Sequence, residues 1–153
     1  MKRDRKTTSI VVLLVSGAIV LGGCGGGGNG KRLSKAEFAT KVGALCTDYK
    51  KKIKAFGSPQ SDAEAVTLMK KYRSLFAQVV ADTKKLKPPA DEQASVDRIL
   101  SVAEQQLGIT DRMITALEKN DRGEFEKLVK SGDVMDRESN RIFLRLGATA
   151  CAK

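Results

Sequence analysis

Three cysteines, Cys24, Cys46 and Cys151, are the side chains best suited to covalent chemistry in this chain. No Cys-x-x-Cys occurs, so nothing in their spacing builds a low-pKa redox pair. Histidine is absent altogether. That excludes a His-based triad or dyad, the Glu-x-x-His signature of di-iron bundles, the HExxH zinc motif and His-ligated haem. No P-loop or GxGxxG opens a helix. Two carboxylate pairs, Glu37 with Asp48 and Asp133 with Asp136, have the residue types for acid/base exchange. Each falls on an outward helix face, where carboxylates are ordinarily solvated. The expectation is a protein with no catalytic residue, no metal ligand and no cofactor.

Cys24 stands apart from the other two because of what precedes it. Lys2, Arg3, Arg5 and Lys6 form a basic start, and Ile10 to Leu21 form an apolar run of about twelve residues, the length of a signal h-region. A spanning helix needs about twenty, and the glycines after Leu21 cannot extend this one. Leu21-Gly22-Gly23-Cys24 resembles the lipobox of bacterial lipoproteins. The resemblance implies removal of residues 1–23 and a diacylglyceryl group on the Cys24 sulfur. Two acyl chains anchor stably where one holds marginally, at about 0.8 kcal/mol per buried methylene. The expected location is the extracytoplasmic face of the cell membrane.

If Cys24 carries lipid, Cys46 and Cys151 remain as an even pair, and in an oxidising exterior they should be bonded. The full chain holds 28 Lys and Arg against 18 Asp and Glu. Cleavage before Cys24 takes away four basic residues and one acidic residue, leaving a net charge of +7. Outside the cell, that charge points away from nucleic acid and towards anionic headgroups, wall polymers or an envelope protein. Lys50, Lys51, Lys52 and Lys54, and Lys84, Lys85 and Lys87, are the candidate patches.

The elements that must position these groups are helices. Residues 24–32 form a lipid-bearing, glycine-rich linker, from Gly25 to Arg32 a coil of roughly 15 Å, and 33–153 form the domain. Ser34-Lys35-Ala36-Glu37 is a capping box, followed by an apolar stripe at Phe38, Val42, Leu45, Tyr49, Ile53 and Phe56. Gly57 and Pro59 end that helix. Ser61-Asp62-Ala63-Glu64 repeats the box, and Ala65, Met69, Tyr72, Phe76, Val79, Thr83 and Leu86 alternate by four and three up to Pro88-Pro89. A third helix starts near Pro89 or Ala90, with its stripe at Val96, Leu100, Ala103, Leu107, Thr110, Ile114 and Leu117. The fourth opens at Asp121-Arg122-Gly123-Glu124 and carries Phe125, Leu128, Gly132, Met135, Ser139, Ile142 and Leu146 through Ser131-Gly132, a place for a kink. Gly147 suits the position after its end.

Four long amphipathic helices with short connections predict an all-α, up-down-up-down four-helix bundle. In that topology helix four returns to the end where helix one begins. The tail after Gly147 must then climb helix one to bring Cys151 to Cys46. Four extended residues reach about 13 Å, and Cys46 lies roughly 18 Å beyond Ser34 along the axis.

Taken together, the lipobox, the glycine spacer, "LSKAEFATKVGALC" at 33–46, "LKPP" at 86–89 and "LGATAC" at 146–151 resemble small actinobacterial lipoproteins. The likeness implies an extracytoplasmic helical domain whose first and last cysteines are bridged, and it implies no activity. Two roles follow for such a chain. The first is non-catalytic binding or scaffolding in the envelope. The second is capture of a small molecule or lipid in a pocket between the helices. The first is the expected role and the second its alternative: Gly132 and Ser139 put small or polar groups on the inner face of helix four, which opens a void or groove, with Tyr49, Met69, Tyr72 and Met135 as candidate lining.

Overall fold

The computed structural model describes residues 31–152. The expected signal segment 1–23, Cys24 and the expected linker as far as Gly30 lie outside the described residues. Four helices follow in order: α1 (Lys35–Lys54), α2 (Asp62–Lys84), α3 (Gln93–Glu118) and α4 (Arg122–Leu146). Short 3-10 turns sit at Ala90–Glu92 and Thr149–Cys151. The bundle is all-α, as its stripes predict. No helix among the described residues is long and apolar enough to cross a membrane.

Local chemistry sets the helix ends. Ser34 and Glu37 form the full reciprocal box, with the Glu37 carboxylate accepting from the Ser34 amide at 2.8 Å. At α2 the expected box is only half present. Ser61 accepts from the Glu64 amide, but the Glu64 carboxylate takes the Gln60 amide at 2.6 Å, one residue earlier. Either arrangement satisfies an otherwise orphan donor at the helix start. Asn120 closes α3 with φ 57°, a left-handed position that Asn tolerates. Gly147, with φ 78°, closes α4 in the way its sequence position suggests. Helix α4 runs without a break through Ser131-Gly132.

The helices pack in chain order. The extensive interfaces are α2 with α3 and α3 with α4, and α1 meets α2 over a smaller area. Because α3 lies between two partners, it buries more than one stripe. Ile99 and Val102 are buried alongside the expected Val96, Ala103 and Ile114. Bidentate pairs cross both of its flanks, Arg73 to Asp111 of α3 and Arg98 of α3 to Glu138. The core is densest where α1 starts and α4 ends. Phe38, Val42, Val96, Ile99, Ile142, Leu146 and Ala148 form one cluster there.

Helices α1 and α4 are not among the extensively packed pairs, and residues 148–152 run between them. This strap touches both helices. Its course along α1 is legible contact by contact. A Cβ built on Gly147 would stand 3.8 Å from Ala39, and one on Gly43 would stand 3.6 Å from Ala150. Cys46 and Cys151 are joined by a disulfide with a Cα separation of 5.1 Å, and the Lys50 ammonium donates to the Ala152 carbonyl at 2.9 Å. Positions 39, 43, 46 and 50 share one face of α1 by helical spacing. Small side chains at the first two let the strap lie close, and the bridge and the lysine hold it.

Candidate functional site

Beside the strap, a cavity of about 410 Å³ opens between the helices. All four helices line it. Helix α2 contributes Phe76, Val79, Val80 and Thr83, while α3 contributes Ile99, Ala103, Ile109 and Met113 among others. Helix α1 adds Val42 and Tyr49. The Cys46–Cys151 bridge and Lys50 also line it, so the strap is part of the cavity wall.

The two sides of the cavity differ in chemistry. On the α2 and α3 side the surface is mainly apolar: Gln106 is turned towards α4, and the threonine hydroxyls donate to their own helices. Thr83 donates to the Val79 carbonyl at 2.8 Å, and Thr110 donates to the Gln106 carbonyl at 2.8 Å. Helix α4 presents Asp133, Asp136, Ser139 and Asn140 as well as Leu128, Val129 and Phe143. The Gln106 amide donates to Asp136 at 2.7 Å, orienting that carboxylate across the α3–α4 interface. Partial burial pushes the Tyr49 phenol above its ordinary pKa, and the nearby Tyr72 and the Asp136 carboxylate push it the same way. Tyr49 therefore stays neutral over the physiological range and offers a hydroxyl rather than a charge.

Gly132 explains much of the space. A Cβ there would meet nothing within 4 Å. In a bundle seam this position ordinarily carries a large apolar side chain, and α4 puts hydrogen there instead. Ser139, two turns further along, is also too small to close the gap. Gly132 and Ser139, the small and polar positions on the inner face of α4, both line the cavity.

Of the proposed lining residues, Tyr49 is in place and three are not. Tyr72 packs on Phe56 with ring centroids 5.2 Å apart. Met69 does not line the cavity. Met135 lines a separate hollow with Gln105, Gly108 and Arg112. The methionine in the cavity is Met113 of α3, one position before the expected stripe residue Ile114. It was missed because α3 was assigned one buried face and has two.

The carboxylate pairs separate in the same way. Glu37 is occupied by Ser34, and Asp48 pairs with Lys52 at 2.7 Å. Eleven residues of helix, roughly 16 Å, lie between them, so they do not act on one substrate atom. Asp133 and Asp136 do share a site, one helical turn apart on the cavity side of α4. The lysine clusters are partly neutralised within the fold. Lys52 pairs with Asp48, Lys84 with Glu104 at 2.5 Å, and Lys85 with Asp82 at 2.6 Å. Lys50 is tied to the strap. Among the described residues no group of three or more His, Cys, Asp or Glu side chains could hold a metal ion.

In comparisons with known proteins, this chain matches no family profile, no curated protein and no solved structure.

Proposed function

We propose that this chain is a lipid-anchored protein of the extracytoplasmic membrane face that binds a small, mainly apolar molecule in the cavity between its helices and does not transform it. The observation that carries this reading is the cavity itself. Its volume of about 410 Å³ falls within the range of small-molecule sites, which are concave, mostly apolar and provided with a few placed polar groups. A leucine at Gly132 would take four carbons' worth of the same space. Docking of a macromolecule on the basic faces has less support, because Lys52, Lys84 and Lys85 face acidic neighbours on their own fold and Lys50 is tied to the strap.

The anchor rests on the lipobox-like Leu21-Gly22-Gly23-Cys24 and the glycine spacer. Diacylglyceryl transfer to Cys24 would hold the bundle near the bilayer. An apolar ligand is scarcely soluble in water, so a binding site tethered at a membrane meets it where it is concentrated. Labelled palmitate should enter the wild-type chain and not Cys24→Ala, and the variant should leave the membrane fraction. Retention of Cys24→Ala in the membrane contradicts the anchor.

Binding is read through tyrosine. The chain has no tryptophan and two tyrosines, of which Tyr49 lines the cavity and Tyr72 does not. An apolar extract of the native envelope should perturb Tyr49 emission in the wild type and leave it unchanged in Gly132→Leu. Equal responses from the two proteins contradict a site in the cavity.

A further inference from the structure

We propose that the cavity takes an amphiphile with a single hydrocarbon chain, lying tail-first against α2 and α3, with a head that is not anionic at the α4 edge. This inference rests on the binding role proposed above and specifies its ligand class. Three observations on different parts of the cavity carry it.

The first is size. A methylene occupies about the volume of one liquid water molecule, roughly 30 Å³. A space of about 410 Å³ therefore admits a chain of about a dozen carbons. The two long chains of a bilayer phospholipid do not fit.

The second is sidedness. The hydroxyls of Thr83 and Thr110 donate to carbonyls of their own helices, and the neighbouring Phe76, Val80, Ile99 and Met113 are apolar. A polar group pushed against that wall would lose its hydrogen bonds to water and gain few in return. A hydrocarbon chain loses nothing there. Most polar partners for a head are gathered on the opposite side, at Tyr49 and along α4 at Asp133, Asp136, Ser139 and Asn140, and the one lining amide of α3, Gln106, is turned to Asp136 there.

The third is charge. Two of those α4 groups are carboxylates. The one cation among the lining residues, Lys50, has its ammonium on the Ala152 carbonyl at the strap end. A carboxylate head on the ligand would sit beside like charge, at the exposed Asp133 and the half-buried Asp136, which is unfavourable. An ammonium or hydroxyl head has acceptors to donate to. A charge-assisted hydrogen bond of this kind changes affinity by about ten- to a hundredfold.

The test uses the full chain carrying Cys24→Ser, which removes any acyl chain of the protein's own as a competitor, and Tyr72→Phe, which leaves Tyr49 as the sole fluorophore. The probes are brominated twelve-carbon amine, alcohol and carboxylate, whose bromine quenches tyrosine on contact. Vesicles of a long two-chain phosphatidylcholine are the competitor, with free probe corrected for its partition into the bilayer. The amine and the alcohol should bind at least tenfold more tightly than the carboxylate. Asp133→Asn with Asp136→Asn should bring the amine and the carboxylate within about twofold of each other. In the alcohol series affinity should rise about fourfold per methylene and stop rising near fourteen carbons. A carboxylate that binds as well as the amine overturns the head assignment. Displacement of the probes by the two-chain lipid, or affinity still climbing beyond sixteen carbons, overturns the single-chain assignment. If no probe of any head or length quenches Tyr49, the binding role itself fails, and this inference fails with it.

Discussion

Replacing Gly132 is the sharpest perturbation this fold offers. Glycine inside a helix is about 1 kcal/mol less favourable than alanine, and most such glycines are kept because a side chain would clash. Gly132 has no such excuse, since its Cβ position is empty to 4 Å and the residue is helical. Gly132→Ala should therefore stabilise the domain by about 1 kcal/mol. For about 120 ordered residues, with an unfolding entropy near 2.1 cal/mol/K per residue, that raises the melting temperature by about 4 °C. Gly132→Leu should do at least as well. It is a good helix former, and its added carbons enter an apolar space, where a fully buried leucine contributes about 1.5–3 kcal/mol. Thermal unfolding followed by circular dichroism gives the first number, and urea unfolding gives the second. The same Leu variant should lose ligand binding, so stability and function move in opposite directions at one position. A Leu variant that is less stable than wild type means that the space is already filled by neighbouring side chains. One that is more stable but binds as tightly as the wild type places the ligand elsewhere. Either result refutes the reasoning.

Other outcomes follow from the same geometry. The Cys46–Cys151 bridge spans 105 residues, so the chain-entropy estimate sets its contribution at up to about 4.7 kcal/mol; urea unfolding with and without reductant should show a loss of that order, and no shift in the midpoint contradicts it. Lys35 donates to Glu92 at 2.6 Å, and that hydrogen bond holds the Glu92 carboxyl below its ordinary value of 4.5. A lowered folded pKa contributes stability in full above the unfolded value, and the contribution is lost as pH falls through the folded one. Unfolding measured between pH 6 and 3 should therefore show a shallower acid limb in Glu92→Gln than in wild type. The Tyr49 phenol is raised above 10.0, so its contribution is complete below that pH and fades as pH rises through the folded value. Ultraviolet titration of Tyr72→Phe should place the remaining phenol above a free tyrosine, and a normal midpoint contradicts its burial.

The parts of this fold that read directly from sequence are those decided by neighbours in the chain. Ser34 and Glu37 specify the start of α1 because both partners of the box lie within one turn. Glu64 shows where that logic stops, since its carboxylate had a choice of two adjacent amides and took the earlier one. The number of buried faces on a helix is not local. Periodicity gave α3 one stripe, but its place between α2 and α4 buries Ile99 and Val102 as well. The strap was expected from the cysteines and the topology. Its bed was not, because Ala39 and Gly43 acquire meaning only when Gly147 and Ala150 lie against them. The cavity was half legible. Gly132 and Ser139 were visible as gaps in a stripe, whereas Met69, Tyr72 and Met135 failed as lining because their exact angle on the helix decides which side of the seam they face.

The most direct test of the account is the mass of the protein as it leaves its own envelope. Native mass spectrometry of the full chain, extracted gently and compared with Gly132→Leu, should find one small, mainly apolar molecule held by the wild type in a one-to-one ratio and none held by the variant. A wild-type chain that carries no bound molecule, or a variant that carries the same one, contradicts the assignment of this cavity as a binding site.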